Sequence, residues 1–597
     1  YFSKILFAGL TCSGLFCVYD QYFYMKRFKG GFLAAQTGIH VDSPPIVPTL
    51  TTSYAHGTST TPFSIRTVGE SLLRTVERFP DREAVVFPED GVRKTFAQLQ
   101  QDVDQAAAGL LALGLTKGDR LGMWGPNSYA WVLMQFATAK AGIILVSVNP
   151  AYQTQEVEFA LRKVGCKALV CPEQFKMQQY CDMLRQICPE IESSSPGHIK
   201  SARLPELRSV IVVDSRQPGM FHFEDMMQAG SVQHVQQLQD LQRKLSCDDP
   251  INIQFTSGTT GVPKAATLSH FNIINNAHFI GKRLGYDWKT RICVPLPLYH
   301  CFGSVIAGIC MAVHGISLIF PSAVYSGKTI LTALEKERCT MVYGTPTMFV
   351  DMINQPHLAQ YDLSSVKAGI LGGSPCSPEL VKEVGYGSTE NSPATFSAHP
   401  KDNLQRRAET VGFILDHTEA KIVDPATGQV VPVGEIGEIM IRGYCVMLEY
   451  WGDRAKTEEC ISKSGWYKTG DIGSMDAYSY LRIRGRIKDM IIRGGENIYP
   501  AEIEHFLHTH PKVKEAQVIG VEDYRMGEEV CACIKLVDGK ECTAEEIKAY
   551  CKGKIAHYNI PRYVLFVNSY PLTTSGKIQK FELRKQAEEQ LGLLKGK

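Results

Sequence analysis

From about residue 65 the apolar positions fall into a regular alternation of short runs and helical stripes. Thr95 and Gln98 stand at capping-box spacing, and Phe96, Leu99, Val103, Ala107, Leu110 and Leu111 share one side of a 3.6-residue period, which predicts a helix opening at Thr95. Short apolar runs at 120–124, 143–146 and 168–170 predict strands, with helices between them at 128–139 and 155–164. Strands alternating with helices in this way predict a mostly parallel sheet covered by helices on both faces. Residues 172–250 are more polar, and Gln-rich near 233–242, so they read as surface helix and loop. The alternation resumes at Ile251 and continues to about residue 380.

After Gly485 the texture changes. A helix is expected at 501–507, strands at 513–521 and 529–536, a helix at 543–555 and a strand at 563–567. That is a compact α+β unit of roughly one hundred residues, a normal domain size. The expected fold is therefore α/β: a large N-terminal domain with mostly parallel sheets covered by helices, plus a small mobile C-terminal α+β domain. Residues 1–62 read as leader and linker, 63–487 as the large domain and 488–597 as the small one. No internal repeat is visible.

Composition narrows the function. With 63 Lys plus Arg against 61 Asp plus Glu, the formal net charge is +2, which excludes a strongly basic nucleic-acid binder and an acidic disordered tail. The 18 cysteines include no C-x-x-C pair and many lie in apolar runs, so they read as small buried hydrophobes in a reducing compartment. Residues 5–18 are apolar but short for a bilayer span. Lys4, Lys26, Arg27 and Lys29 surround them, and Asp20 is the only acid before Asp42. Such a leader fits an organelle transit peptide, and a signal-peptide apolar region fits nearly as well. A chain opening on Tyr1 is expected to be processed or to lack its start. Residues 41–62, rich in Pro, Ser and Thr, read as a linker, and no later segment reads as a transmembrane anchor.

The strongest local signal is Thr256-Ser257-Gly258-Thr259-Thr260-Gly261-Val262-Pro263-Lys264, directly after the apolar run 251–255. Glycines let backbone N–H groups turn toward an anion, while hydroxyls and one Lys add donors and charge. It is not the G-x-x-x-x-G-K-[ST] loop, because Pro263 precedes the Lys and Ala265 follows it. Alone, it is equally a solvated polar turn. It is joined downstream by Tyr386-Gly387-Ser388-Thr389-Glu390 and Trp466-Tyr467-Lys468-Thr469-Gly470-Asp471. Gly485-Arg486-Ile487-Lys488-Asp489, Gly494-Gly495-Glu496-Asn497-Ile498-Tyr499-Pro500 and Pro571-Leu572-Thr573-Thr574-Ser575-Gly576-Lys577 follow.

In these motifs and their order, residues 65–585 resemble the acyl-CoA synthetase branch of the adenylate-forming (ANL) enzymes. The resemblance implies that a fatty acid, ATP and coenzyme A react through an acyl-adenylate, with Mg²⁺ as cofactor. It implies that Thr256 to Lys264 hold the β- and γ-phosphates and that Glu390 is the metal ligand. Thr389 would meet the α-phosphate, and Tyr386 and Gly373 the adenine. Asp471 and Arg486 would meet the ribose, and His300, in Leu298-Tyr299-His300-Cys301-Phe302-Gly303, the substrate carboxylate. Lys577 would be the catalytic cation, supported by His300 and Lys264. Rotation about Lys488 would then exchange Lys577 for the Gly494-Gly495 loop at the thiol channel. A medium-chain acid is implied by resemblance alone, and a mitochondrial matrix location by the leader together with it. The residues themselves leave plainer readings for several of these: a structural His300, a boundary salt bridge at Arg486, a tight turn at Gly494-Gly495.

Two departures from the family pattern stand out. Ala265 replaces a glycine, and its methyl is expected to crowd the following backbone. More seriously, only residues 374–385 lie between the strand expected at 368–373 and Tyr386. A parallel crossover alone takes about a dozen residues, so a further strand of about five cannot fit. This motivates an alternative, an impaired or non-catalytic relative that lacks a strand-sized segment between Glu379 and Tyr386. Another alternative is adenylation with a different acceptor.

Overall fold

The computed structural model describes residues 44–45, 47–256, 263–372, 385–494, 496–572 and 578–593. Of residues 1–62, expected as leader and linker, 1–43 and 46 lie outside the described residues; within the stretch read as linker, Tyr54–His56 is instead a strand paired with Thr418–Val423. Among these residues the first strands pair as expected. Arg120–Trp124, Ile144–Val148 and Ala168–Cys171 lie parallel in an eight-stranded sheet. Pro250–Thr256 joins Ile144–Val148 in parallel, and Lys264–Ser269 and Glu449–Tyr450 close that edge antiparallel.

One expectation fails here. Within the region read as surface helix and loop, Ser209–Val212 is a fully buried strand parallel to Ala168–Cys171. All four residues are buried, and the apolar run Val210, Ile211, Val212 and Val213 shows no alternation, as a strand covered on both faces requires. The Gln-rich part does form a surface helix, Val232–Gln242, in which only Leu238 is buried.

A six-stranded sheet runs in the order Ala368–Leu371, Met341–Gly344, Arg291–Cys293, Ser317–Ile319, Glu83–Phe87, Val92–Thr95, parallel except at the last pair. Between the two sheets lie the helices Phe96–Ala112, Tyr129–Lys140 and His270–Arg283 and the π-helical turn Phe302–Ile309, all contributing to one apolar cluster. Tyr129–Lys140 is buried from Ala130 to Ala139, and a helix covered on every side belongs in an interior layer. The helix at Thr95 opens with both capping-box bonds, Gln98 N–H to Thr95 Oγ1 (3.2 Å) and Thr95 N–H to Gln98 Oε1 (2.9 Å).

Two antiparallel sheets complete the large domain. One has five strands, Tyr54–His56, Thr418–Val423, Gly437–Gly443, Tyr467–Met475 and Leu481–Arg486. The other joins Gly385–Gly387, Ala394–Ser397 and Phe413–Ile414. The sequence pattern pointed to parallel sheets and did not separate out this antiparallel part.

The small domain packs Pro500–His508 and Ala544–Cys551 against a sheet in which Val513–Asp523 and Gly527–Leu536 form a long hairpin. Tyr563–Phe566 adds to it in parallel. The helix expected at 543–555 stops at Cys551, because Gly553 adopts φ +76° and turns the chain away. Contact with the large domain includes one ion pair, Arg484 to Glu502 (3.2 Å).

The segment between Glu379 and Tyr386, where a strand is expected to be lacking, falls mostly outside the described residues. On its two sides, Ala368–Leu371 is the edge of its parallel sheet among the described residues, and Tyr386 pairs with Phe396 in a different sheet. Ala265 raises no difficulty. It is buried in the antiparallel strand opposite Phe255, and its methyl packs in an apolar cluster.

Candidate active site

Thr256 and Lys264, which flank residues 257–262, are direct partners in an antiparallel pair of strands. Residues 257–262, like Gly373, Gly495 and Lys577, lie outside the described residues. Pro263 is half-buried. The Thr256 hydroxyl donates to Glu390 Oε1 (3.2 Å). Glu390 is only 7% exposed, in a short turn whose carbonyl accepts from Met447 N–H (2.8 Å). Thr389, beside it, takes the Cys301 thiol on its hydroxyl (3.4 Å). This contact brings the His300 segment to the Glu390 turn. His300 is half-buried, its ring 4.2 Å from that of Tyr299, and its carbonyl accepts from Ser304 N–H as the π-helical turn begins.

Tyr450, absent from the sequence-based candidates, is the centre of this cluster. Its hydroxyl accepts from Lys264 Nζ (3.0 Å) and donates to Glu390 Oε1 (2.8 Å). The ammonium also lies 4.6 Å from its ring centroid, within cation–π range. Burial first, and then the Glu390 charge, push the phenol well above its ordinary pKa, so it stays protonated and donating.

A second cluster gathers where two antiparallel strands put Asp471 opposite Arg486. Arg486 Nε meets Asp471 Oδ1 at 2.9 Å, while the Tyr386 hydroxyl donates to Oδ2 at 2.7 Å. Asp471 is 6% exposed, so this carboxylate is a buried charge with a partner on each oxygen. Burial and the neighbouring Asp471 charge raise the Tyr386 pKa. Arg486 thus pairs within the large domain, and the boundary bridge belongs to Arg484 instead. Arg486 is followed at once by the turn Ile487–Asp489, which carries Lys488 between the two domains' sheets. Gly494 occupies φ +57° after the Ile491–Arg493 strand, which pairs antiparallel with Glu496–Ile498.

Residues 72–451 match the AMP-binding enzyme family, and residues 502–577 match the AMP-binding enzyme C-terminal domain. The chain belongs to the AMP-binding enzyme family. It is 65% identical to the zebrafish (Danio rerio) medium-chain acyl-CoA ligase ACSF2, mitochondrial, with 99% of this chain and 100% of that protein covered. Among solved structures, the anthranilate CoA ligase AuaEII in complex with anthranoyl-AMP superposes with TM-score 0.77 at 27% identity, over 89% of this chain and 99% of that one. ATP-bound MatB from Rhodopseudomonas palustris gives 0.76 at 26% identity, over 87% and 99%.

The resemblance read from the motifs is therefore sound, and so is the large-plus-small α/β architecture. Of the AMP-binding enzyme's candidate residues, the fold brings Thr256, Lys264, Thr389 and Glu390 into one cluster and Tyr386, Asp471 and Arg486 into a second. Tyr467 lies near the charges of both clusters. It is buried, and the nearby charges of Glu390 and Asp471 add to burial in raising its pKa. Tyr450 could have been suspected only from the aromatic pair Tyr450-Trp451 following the strand 437–443, a weak signal by itself.

Proposed function

We propose that the protein is an acid–thiol ligase that activates a fatty acid with ATP and transfers it to coenzyme A. In the first half-reaction a carboxylate oxygen attacks the α-phosphorus, the bond to the bridging oxygen breaks, and pyrophosphate leaves with that electron pair. In the second, the thiol sulfur attacks the acyl carbon, loses its proton and expels AMP. The observation that carries this reading is the buried Glu390 carboxylate, tied directly to Thr256 and through Tyr450 to Lys264 at the two ends of the phosphate-loop motif.

The role of each residue follows from its chemistry. Thr256, Ser257 to Val262, Pro263 and Lys264 hold the departing phosphates, a task of positioning and charge. Asp471 offers an oxygen to each ribose hydroxyl, beside Arg486, and the Tyr386 ring stacks on adenine near Gly373. Thr389 donates to the α-phosphate and His300 faces the substrate carboxylate. Lys577, carried by the small domain, meets charge that develops only in the transition state, where a cation lowers the barrier preferentially. The small domain then turns about Lys488 and presents Gly494 and Gly495 to the pantetheine arm.

The donor set suits Mg²⁺. Among the described residues no cage of three His, Cys, Asp or Glu side chains forms, and Glu390 stands as a single hard carboxylate. Mg²⁺ is characteristically held by one or two carboxylates plus substrate phosphates and water. Bound there with ATP, it would neutralise phosphate charge.

The ACSF2 relative's name supports a medium-chain acid and a mitochondrial location, to which the basic, acid-poor leader adds. Among the described residues no helix is long and apolar enough to cross a membrane. Pyrophosphate release from purified protein is expected to require both ATP and octanoate, and acyl-CoA to require coenzyme A as well. No release with both present refutes the ligase. Acyl transfer without coenzyme A refutes the acceptor, and a preference for palmitate refutes the chain length.

A further inference from the structure

Half-buried Lys264 and buried Glu390 carry opposite charges at one spot, yet no direct ion pair joins them. The Tyr450 hydroxyl stands between them, 3.0 Å from the ammonium and 2.8 Å from Oε1. Tyr450 is itself 1% exposed and firmly set. Its strand pairs with Lys264–Ser269, its N–H donates to Thr457 Oγ1 (3.0 Å), and its carbonyl accepts from Asp453 N–H (2.9 Å). Among the described residues, both hydrogen bonds to the Glu390 carboxylate, from Tyr450 and Thr256, fall on Oε1, which leaves Oε2 uncommitted.

We propose that Tyr450 is a positioning residue for the metal–nucleotide step. Its hydroxyl holds Glu390 by one oxygen so that the other faces the metal, and it keeps the Lys264 ammonium available to phosphate rather than locked onto the carboxylate. The proposal rests on the assignment of Glu390 and Lys264 under the proposed function. The physical reason is competition. A buried ammonium and carboxylate left face to face form a tight pair, because separating them exposes each as an uncompensated charge. Metal and phosphate would have to break that pair. With the phenol interposed, each charge is already satisfied by a neutral group that either ligand displaces at lower cost.

Tyr450→Phe removes the hydroxyl and keeps the ring against the ammonium. Calorimetric binding of ATP, without fatty acid, is measured in excess Mg²⁺ and in EDTA. The affinity for MgATP should fall about tenfold more than that for metal-free ATP, the worth of one hydrogen bond to a charged group. Glu390→Gln should lose the preference for MgATP, and adding Tyr450→Phe to it should change the ratio no further, since both act through one carboxylate. A ratio unchanged in Tyr450→Phe while Glu390→Gln abolishes it overturns the role of Tyr450 alone. A preference that survives Glu390→Gln shows that the underlying metal assignment is wrong, and the proposal falls with it. Should Tyr450→Phe not fold, Tyr450→His, which keeps a donor, compared with Tyr450→Met reads the same ratio, with retention expected only in the first.

Discussion

Asp471→Asn isolates the ribose contact. The carboxylate is buried, with the Tyr386 hydroxyl at 2.7 Å on one oxygen and the Arg486 Nε at 2.9 Å on the other, and each oxygen keeps a second lone pair. Asparagine keeps the shape, loses the charge and leaves one acceptor oxygen. At least one charge-assisted hydrogen bond to the nucleotide is lost, worth roughly 1.5–3 kcal/mol, so ATP affinity should fall about 10- to 150-fold. The fold also loses something, because the buried Tyr386 hydroxyl must find a weaker partner, at about 1–3 kcal/mol. The decisive assay is pyrophosphate release with ATP and with 2′,3′-dideoxy-ATP. The wild type should discriminate strongly between them, and the variant should do so much less, because the group that senses the hydroxyls is gone. A variant that weakens for both nucleotides equally and keeps the wild-type discrimination refutes the ribose assignment.

Lys577→Ala should slow acyl-AMP formation by about 10²–10³, the usual cost of one transition-state donor. Thioester formation from supplied acyl-AMP should stay within about threefold by the same reasoning, because the proposed domain alternation has the lysine withdrawn in that half-reaction; equal losses in both halves would contradict it. Stability should fall with acid. Burial holds His270 and His314 neutral, their pKa values lowered to about 4. The unfolded chain binds these protons near pH 6.5 and the folded one does not. The stabilisation is thus complete above pH 6.5 and declines below it, by roughly 2 kcal/mol per histidine at pH 5. Urea unfolding at pH 7.5 and pH 5 measures this, and a flat profile would count against both buried neutral rings.

Much of the parallel framework was legible because its signals are local. The strand Arg120–Trp124 matches its apolar run residue for residue, and Thr95 and Gln98 cap their helix with the two bonds their spacing implies. What escaped notice was decided by tertiary pairing. Ser209–Val212 rests on the apolar run 210–213, too short for periodicity to classify, and it is a strand because Ala168–Cys171 offers it a ladder. The helix after Thr543 was read too far because the apolar pattern continues through Ile555, while Gly553 permits the turn that ends it.

The site divides the same way. Asp471 and Arg486 stand in separate motifs, and only the antiparallel register makes them one ion pair. Tyr450 carries no motif signal of comparable strength. Its strand is two residues long and exists through its pairing with Ala266 and Thr267. Yet that pairing sets the phenol beside the first residue of the strand leaving the phosphate loop, where it separates the ammonium from the carboxylate. Motif residues show which chemical groups the reaction uses. The spacing between opposite charges, which decides whether a buried pair excludes the nucleotide or accepts it, is a property of sheet register, and a residue that sets it need stand in no motif.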